Sequence, residues 1–195
     1  MIFFTSDTHF GDNGIIKREN RPYKNHKHFQ KDIIKIWNKQ TTKNDIIYVL
    51  GDFFNYNKKD TTSWKNILSL PKKFKAKIIL IIGNNEERII DNEFDKNFDL
   101  FKNLLLENGF LDVKKDDFVT INNTLYYLNH YPENKKDDCL NLFGHTHRST
   151  GLWKPFGFNM DCDLNFFRLF SEKDIITMTN EKGKFWDSDI NVTIM

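Results

Sequence analysis

Five short apolar runs constrain this chain more than any other feature, because each closes on a side chain able to hold a metal. They are "MIFFTSDTH" (1–9), "DIIYVLGD" (45–52), "AKIILIIGNN" (76–85), "TLYYLNH" (124–130) and "LNLFGHTH" (140–147). Short runs rich in Ile, Val, Phe and Tyr read as buried strands. Their ends carry Asp7 and His9, Asp52, Asn84, His130, and His145 and His147. In α/β sheets ligands gather beyond the carboxyl ends of the strands, so these seven side chains can converge although they are far apart in sequence. Asp7/His9 and His145/His147 are each spaced by two, which suits neighbouring ligands on an extended loop. Gly51, Gly83 and Gly144 precede ligands, and a residue without Cβ lets the backbone turn sharply and approach a site.

Helical patterns lie between the runs. Phe29, Ile33, Ile36 and Trp37 recur at helical spacing in 26–40, and Trp64, Ile67 and Leu68 do so in 62–70, where Pro71 ends the run. Phe98, Phe101, Leu104 and Leu105 form a stripe in 97–108, with Gly109 placed as a C-cap. Strands alternating with helices argue an α/β domain. The second half is richer in strands. "DFVTINNTLYYLNH" reads as a hairpin turning at Asn122-Asn123, and "IITMTNEKGKFWD" (175–187) as another. The expected architecture is two mixed β-sheets packed together with α-helices outside. No repeat, low-complexity tract or Pro/Gly-rich linker interrupts it, so 1–195 reads as a single domain.

Composition narrows the function classes. A net charge of +2 is too balanced to announce a nucleic-acid-binding surface. No apolar run approaches the ~18–20 residues of a membrane span, and the N-terminus lacks the pattern of a signal peptide. Cys139 and Cys162 read as free thiols of a cytoplasmic protein. Heavy use of Lys, Asn, Ile and Phe, whose codons are AT-rich, points to a low-GC bacterium or one of its phages.

The seven candidate ligands point to two divalent ions. They are too many for one tetrahedral zinc, and four imidazoles are wrong for an oxygen-only Ca²⁺ or Mg²⁺ cage. Mixed imidazole, carboxylate and amide donors suit Mn²⁺ first, with Fe, Zn²⁺ or Ni²⁺ as alternatives. Asp7 and Asp52 neutralise only part of the charge of two such ions, and a hydroxide and an anionic substrate such as a phosphate ester balance the rest. Metals ~3.5–4 Å apart can generate hydroxide near neutral pH and clamp both oxygens of an in-line displacement.

"SDTH", "LGD", "GNN", "NHYP" and "GHTH", in this order and spacing, resemble the five motif blocks of the calcineurin-like metallophosphoesterase superfamily. The opening "SDTHFGDNGIIKRENRPY" is further similar to a group of small single-domain bacterial and phage phosphoesterases. The resemblance implies a β-sandwich flanked by helices. It also implies that Asp7, His9 and His147 hold one metal, that Asn84, His130 and His145 hold the other, and that Asp52 bridges them. Two positions depart from the family. A His that binds phosphate and is the favoured proton donor to the leaving group is replaced by Asn85, and a His frequent in the subgroup is replaced by Asp12.

The expected catalytic residues are therefore Asp52 and Asn85. An amide can donate a hydrogen bond to a phosphoryl oxygen but cannot deliver a proton at pH 7. Arg21, Arg88 and Arg148 lie near motif segments and are candidate phosphate contacts alongside Asn85, since a guanidinium can hold phosphate with two parallel hydrogen bonds. Asp161 and Asp163 could orient loops or ligating histidines from behind, and His26 and His28 belong on the solvent face of the first long helix. General acid catalysis typically contributes ~10²–10⁴-fold, so a phosphodiesterase acting on esters with good leaving groups is expected ahead of a general monoesterase. The substrate would be a phosphorylated small molecule, a nucleotide or a cyclic nucleotide, and no obligatory protein partner is implied. The alternatives are a catalytically weakened metal-bearing binding protein of the same fold, or a small nuclease acting on RNA or DNA ends.

Overall fold

The computed structural model describes residues 1–59 and 63–185. Its elements run β1 (Ile2–Thr5), α1 (Asn13–Arg18), α2 (His26–Gln40), β2 (Ile46–Leu50), β3 (Lys77–Ile81), α3 (Asn84–Glu93), α4 (Phe98–Glu107) and β4 (Phe110–Lys114). Then follow β5 (Asp117–Ile121), β6 (Thr124–Leu128), β7 (Leu140–Phe143), β8 (Trp153–Lys154), β9 (Gly157–Asn159), β10 (Phe170–Ser171) and α5 (Glu172–Phe185). One sheet has the order β10-β1-β2-β3-β4, parallel except for β10, and the other has the order β5-β6-β7-β9-β8. In the second sheet β6, β7 and β9 are parallel, and β5 and β8 pair antiparallel at the edges. Both sheets are therefore mixed, and the expected sandwich is the observed one.

The side-chain period of two explains the layers. Ile47 and Val49 of β2 and Ile78 and Leu80 of β3 face α2 and α4, where they meet Phe29, Ile33, Trp37, Phe101 and Leu105. Their neighbours Tyr48, Leu50, Ile79 and Ile81 face the second sheet and meet Tyr126, Leu128, Leu142 and Phe158. Both faces of the first sheet are thus buried, which is why its strands read as unbroken apolar runs. In α2 the Asn25 side chain accepts the backbone N–H of His28, capping the first turn. The hairpin between β5 and β6 turns at Asn122 and Asn123, both at positive φ (48° and 64°), the backbone that a two-residue turn of this type demands. Gly109, at φ 106°, follows α4 as anticipated.

Two sequence expectations are corrected. The segment 175–187 is not a hairpin: residues 172–185 form α5, and 186–187 lie outside the described residues. Its Ile and Thr content favours strand locally, but Ile175 and Met178, three apart, bury one helical face in the inter-sheet core. The segment 62–70 is not an α-helix either. Thr62 lies outside the described residues, and the rest makes two short 3₁₀ turns, Lys65–Ile67 and Leu70–Lys73. Pro71 removes a donor and restricts the residue before it, which leaves too little chain for a propagating helix. Sequence reasoning also missed α3, which starts at Asn84 directly after Gly83.

Candidate metal centre

All seven candidate ligands follow the carboxyl ends of β1, β2, β3, β6 and β7, in the turns just beyond or, for Asn84, at the first residue of α3. Five of them, Asp7, His9, Asp52, His145 and His147, have positive φ between 47° and 72°. Such backbone costs roughly 1–3 kcal/mol per residue and persists only where the surroundings over-determine it. Those surroundings are visible. Asp7 N–H donates to the Gly51 carbonyl (3.1 Å) and His9 N–H to the Asp52 carbonyl (2.8 Å), so the first two loops hold each other. Arg21 donates to the carbonyls of Asp7 and Thr8, both at 2.8 Å. Asn159 donates to the carbonyl of His147 at 2.8 Å. Gly51 sits at φ 90°, and a Cβ there would collide with the His130 ring.

The side chains converge in two groups that share Asp52. In the first, Asp7 Oδ1 is 4.0 Å from His9 Nε2 and 3.9 Å from His147 Nε2. In the second, Asn84 Oδ1 is 3.2 Å from His130 Nε2 and 3.0 Å from His145 Nδ1. Asp52 points one oxygen at each: Oδ2 is 3.5 Å from His9 Nε2 and Oδ1 is 3.7 Å from His130 Nε2. Asp7, His9 and His147, and separately Asp7, Asp52 and His130, offer ligand atoms within 4.8 Å of one another.

This donor set fits divalent cations on four counts. Asp7 Oδ1 and His9 Nε2 are buried and have no hydrogen-bond partner among the described residues. Burial raises the Asp7 carboxyl above its usual range, with Asp52 adding to the rise and His147 opposing it, so a cation is the natural compensation. Burial holds His9 well below its ordinary value, helped by the nearby His147, and lowers His130 and His145 as well, so these imidazoles are neutral and keep a lone pair. Finally, the outer nitrogens of His130 and His147 are oriented. His130 Nδ1 lies 2.7 Å from the Leu50 carbonyl and donates to it, which leaves Nε2 facing Asp52 and Asn84. His147 Nδ1 lies 3.1 Å from Asp161 Oδ2, off the ideal hydrogen-bonding line, and Nε2 faces Asp7. Burial lowers His147, but Asp161 and Asp7 outweigh it and push the imidazolium up to about 9. A carboxylate behind a metal-facing imidazole is the usual outer support of such ligands.

The other anticipated residues separate. Asn85 is buried at the N-terminus of α3. Its backbone N–H donates to Asp52 Oδ1 (2.9 Å) and its amide nitrogen to Asp52 Oδ2 (2.6 Å), while its amide oxygen accepts Tyr56 N–H. Arg88 lines the same cavity of about 380 Å³ as His9, Asp52 and Asn85. Arg21 is buried and braced, with its guanidinium shared between Asp163 and the carbonyls beneath Asp7 and Thr8. Arg148 pairs with Asp163 at 3.2 Å, and neither Arg21 nor Arg148 lines that cavity. Asp12 does, and its Oδ1 caps α1 by accepting Gly14 N–H. His26 and His28 open α2 away from the cavity, and His28 pairs with Asp32.

Arg18 and Glu86, with Asn55 and Tyr56 of the cavity wall, escaped sequence reasoning. Arg18, near the end of α1, joins the cavity wall. Glu86 is fully buried, and its carboxylate accepts the backbone N–H groups of Asp52 (2.9 Å), Phe54 (3.0 Å) and Gly83 (2.8 Å). It ties the Asp52 loop to the start of α3. The signal was available, since an acid three residues after a helix N-cap reaches back to the cap backbone.

Residues 1–182 match the family described as calcineurin-like phosphoesterase. An uncharacterized protein of Methanocaldococcus jannaschii is 31% identical over 191 residues, covering 94% of this chain and 93% of the relative. The crystal structure of a protein of unknown function from Aquifex aeolicus superposes with a TM-score of 0.64 at 20% identity, covering 91% of this chain and 98% of that one. At that identity the likeness speaks for the fold alone.

Proposed function

The chain belongs to the calcineurin-like phosphoesterase family, and from that premise we propose that it is a dinuclear, Mn²⁺-favouring phosphodiesterase acting on nucleotide-like esters. The observation that carries the reading is Asp52, which aims one carboxylate oxygen at each of two imidazole groups. Asp7, His9 and His147 would hold one ion and Asn84, His130 and His145 the other, with Fe, Zn²⁺ or Ni²⁺ acceptable to the same donors. Bound divalent ions of this kind lower the pKa of water toward neutrality and neutralise charge building on the phosphoryl oxygens.

The chain's own groups do the rest. Arg88 and Arg18 flank the cavity and supply positive charge for the phosphate. Asn85 gives its backbone N–H and an amide N–H to Asp52, with the amide nitrogen also 3.4 Å from His9 Nδ1, so its main task is to fix the bridging carboxylate, and its amide cannot protonate a departing alkoxide. The leaving group must therefore depart without protonation from this position. That favours diesters with acidic leaving groups over unactivated monoesters. The two free cysteines, Cys139 and Cys162, suit a reducing compartment, which supports a cytoplasmic setting. Among the described residues no helix is long and apolar enough to cross a membrane.

The test is hydrolysis of bis-p-nitrophenyl phosphate against p-nitrophenyl phosphate with Mn²⁺ supplied, followed by Asn85→His on esters of graded leaving-group pKa. The diester is expected to be the better substrate, and the gain from histidine should grow as the leaving group worsens. A gain independent of the leaving group sinks the missing-acid account.

A further inference from the structure

A second cavity, of about 610 Å³, lies along the same rim of the sandwich. It opens beyond the carboxyl ends of β3, β4 and β6, bounded by Ile82, Lys115 and Asn129 just past those strands. It therefore shares β3 and β6 with the candidate metal centre and continues it one strand further along the first sheet. The wall between them is thin. Tyr131 donates its hydroxyl to Glu87 of α3 at 2.6 Å, and its ring packs edge-on against His130 (4.9 Å) and His145 (5.0 Å). The helix does the same double duty: Asn84 and Asn85 turn to the metal centre, and Glu87 and Asp91 line the second cavity.

The lining chemistry is distinctive. Two of its carboxylates are engaged by phenols, Glu87 by Tyr131 and Asp116 by Tyr127 (3.0 Å), and Asp91 is the third. Against them stand Lys96, Lys115, Lys135 and Lys136. Lys135 bonds Asp137, but among the described residues no carboxylate lies within ion-pair distance of Lys96, Lys115 or Lys136. Lys115 instead sits 5.5 Å above the Phe98 ring and Lys136 5.3 Å from the Tyr127 ring. Ammonium groups without acid partners, next to aromatic rings and amides, form the combination that grips a phosphate and stacks a base. The size falls within the ~300–1,000 Å³ of small-ligand pockets.

We propose that this cavity is a subsite for a nucleoside phosphate unit joined to the ester being cleaved. Lys96, Lys115 and Lys136 would take the non-scissile phosphate, and the base would lie toward Tyr131 and Phe98. The inference rests on the phosphodiesterase reading and extends it to the substrate: the favoured diester carries a second nucleotide beyond the scissile phosphate. The balanced net charge does not argue against this, because the lysines act locally.

The test compares three esters of p-nitrophenol on the Mn²⁺-loaded full chain: bis-p-nitrophenyl phosphate, a nucleoside 5′-ester, and the same ester extended by one nucleotide. The extended ester is expected to show a kcat/KM at least tenfold above the nucleoside ester, through KM, with the preference shrinking as salt rises. Lys96→Ala/Lys115→Ala/Lys136→Ala should collapse that preference at least tenfold, and the triple Arg variant should restore most of it. Absence of a preference, or an equal fall for all three esters, overturns the subsite while leaving the phosphodiesterase reading intact. If no ester is hydrolysed the reading itself fails. Anisotropy of a fluorescein-labelled dinucleotide then decides the cavity: weaker binding by the triple Ala variant upholds it, and equal binding refutes it. A capped dinucleotide with a pyrophosphate link, run beside the 3′–5′ linked form, distinguishes the two sources of such a unit.

Discussion

The two halves of the candidate metal centre differ in depth and in charge. The half built on Asp7, His9 and His147 has its first two residues buried and the third half-buried, owns a carboxylate, and is backed by Asp161, Asp163 and two arginines. The half built on Asn84, His130 and His145 has neutral ligands only, shares Asp52, and leaves His145 exposed. An ion in the first half meets fixed negative charge at low dielectric, whereas one in the second depends on the shared bridge. On the dinuclear reading we propose, the difference would give a tightly held ion beside an exchangeable one, with Asp52 coupling the two.

Removing the bridge should have the largest effect. Asp52→Asn takes a charge from both halves, and kcat/KM for bis-p-nitrophenyl phosphate should fall by about 10³-fold or more, with occupancy lost first from the shallow half. Metal titration read alongside activity checks both; preserved double occupancy would break the comparison. Next comes the clamp that holds the bridge in place. Glu86→Ala strands three buried backbone donors and should cost about 3–5 kcal/mol in urea unfolding of the metal-free protein.

Asp161→Asn should weaken metal binding about 10–100-fold in the deep half while leaving the shallow half as it was. Calorimetric titration resolving two events separates these, and an equal loss in both halves would show that the halves are not independent. A further effect is one of pH. His147 is raised from 6.5 to about 9, so in the metal-free protein its charged form contributes stability that is complete below 6.5 and is lost as pH rises through about 9. Metal binding must expel that proton. Affinity of the deep half should therefore climb as pH rises and level off above about 9, with the steepest climb below about 7, where Asp7 must give up a proton as well. His130 and His145 are lowered instead, so affinity of the shallow half should already be flat above neutral pH.

Much of this was legible because strand burial and ligand placement leave a joint signature. Tyr48 to Leu50 are buried on alternate faces and then stop at Gly51-Asp52, so both the strand and its functional end can be read directly. The hairpin at Asn122-Asn123 and the helix over 26–40 were equally local. What escaped was whatever depends on distant partners. "NNEERIIDNE" carries few apolar residues, and its helix exists because Ile89 and Ile90 find a core and Glu86 finds the Asp52 loop. The α5 segment reads as strand until Ile175 and Met178 meet the inter-sheet core. Arg21, 142 residues from Asp163 along the chain, reads as a phosphate contact until folding places that carboxylate beside it.

By itself, then, the sequence determined which residue types stand at the ends of five buried strands, since apolar periodicity and glycine punctuation are local properties. Tertiary structure alone decided the division of labour among them. Which carboxylate faces both imidazole groups, which imidazole leans on Asp161, and which of the two asparagines after Gly83 faces His130 and His145 and which ties down Asp52 are set by contacts across the sandwich rim. No local pattern encodes those contacts.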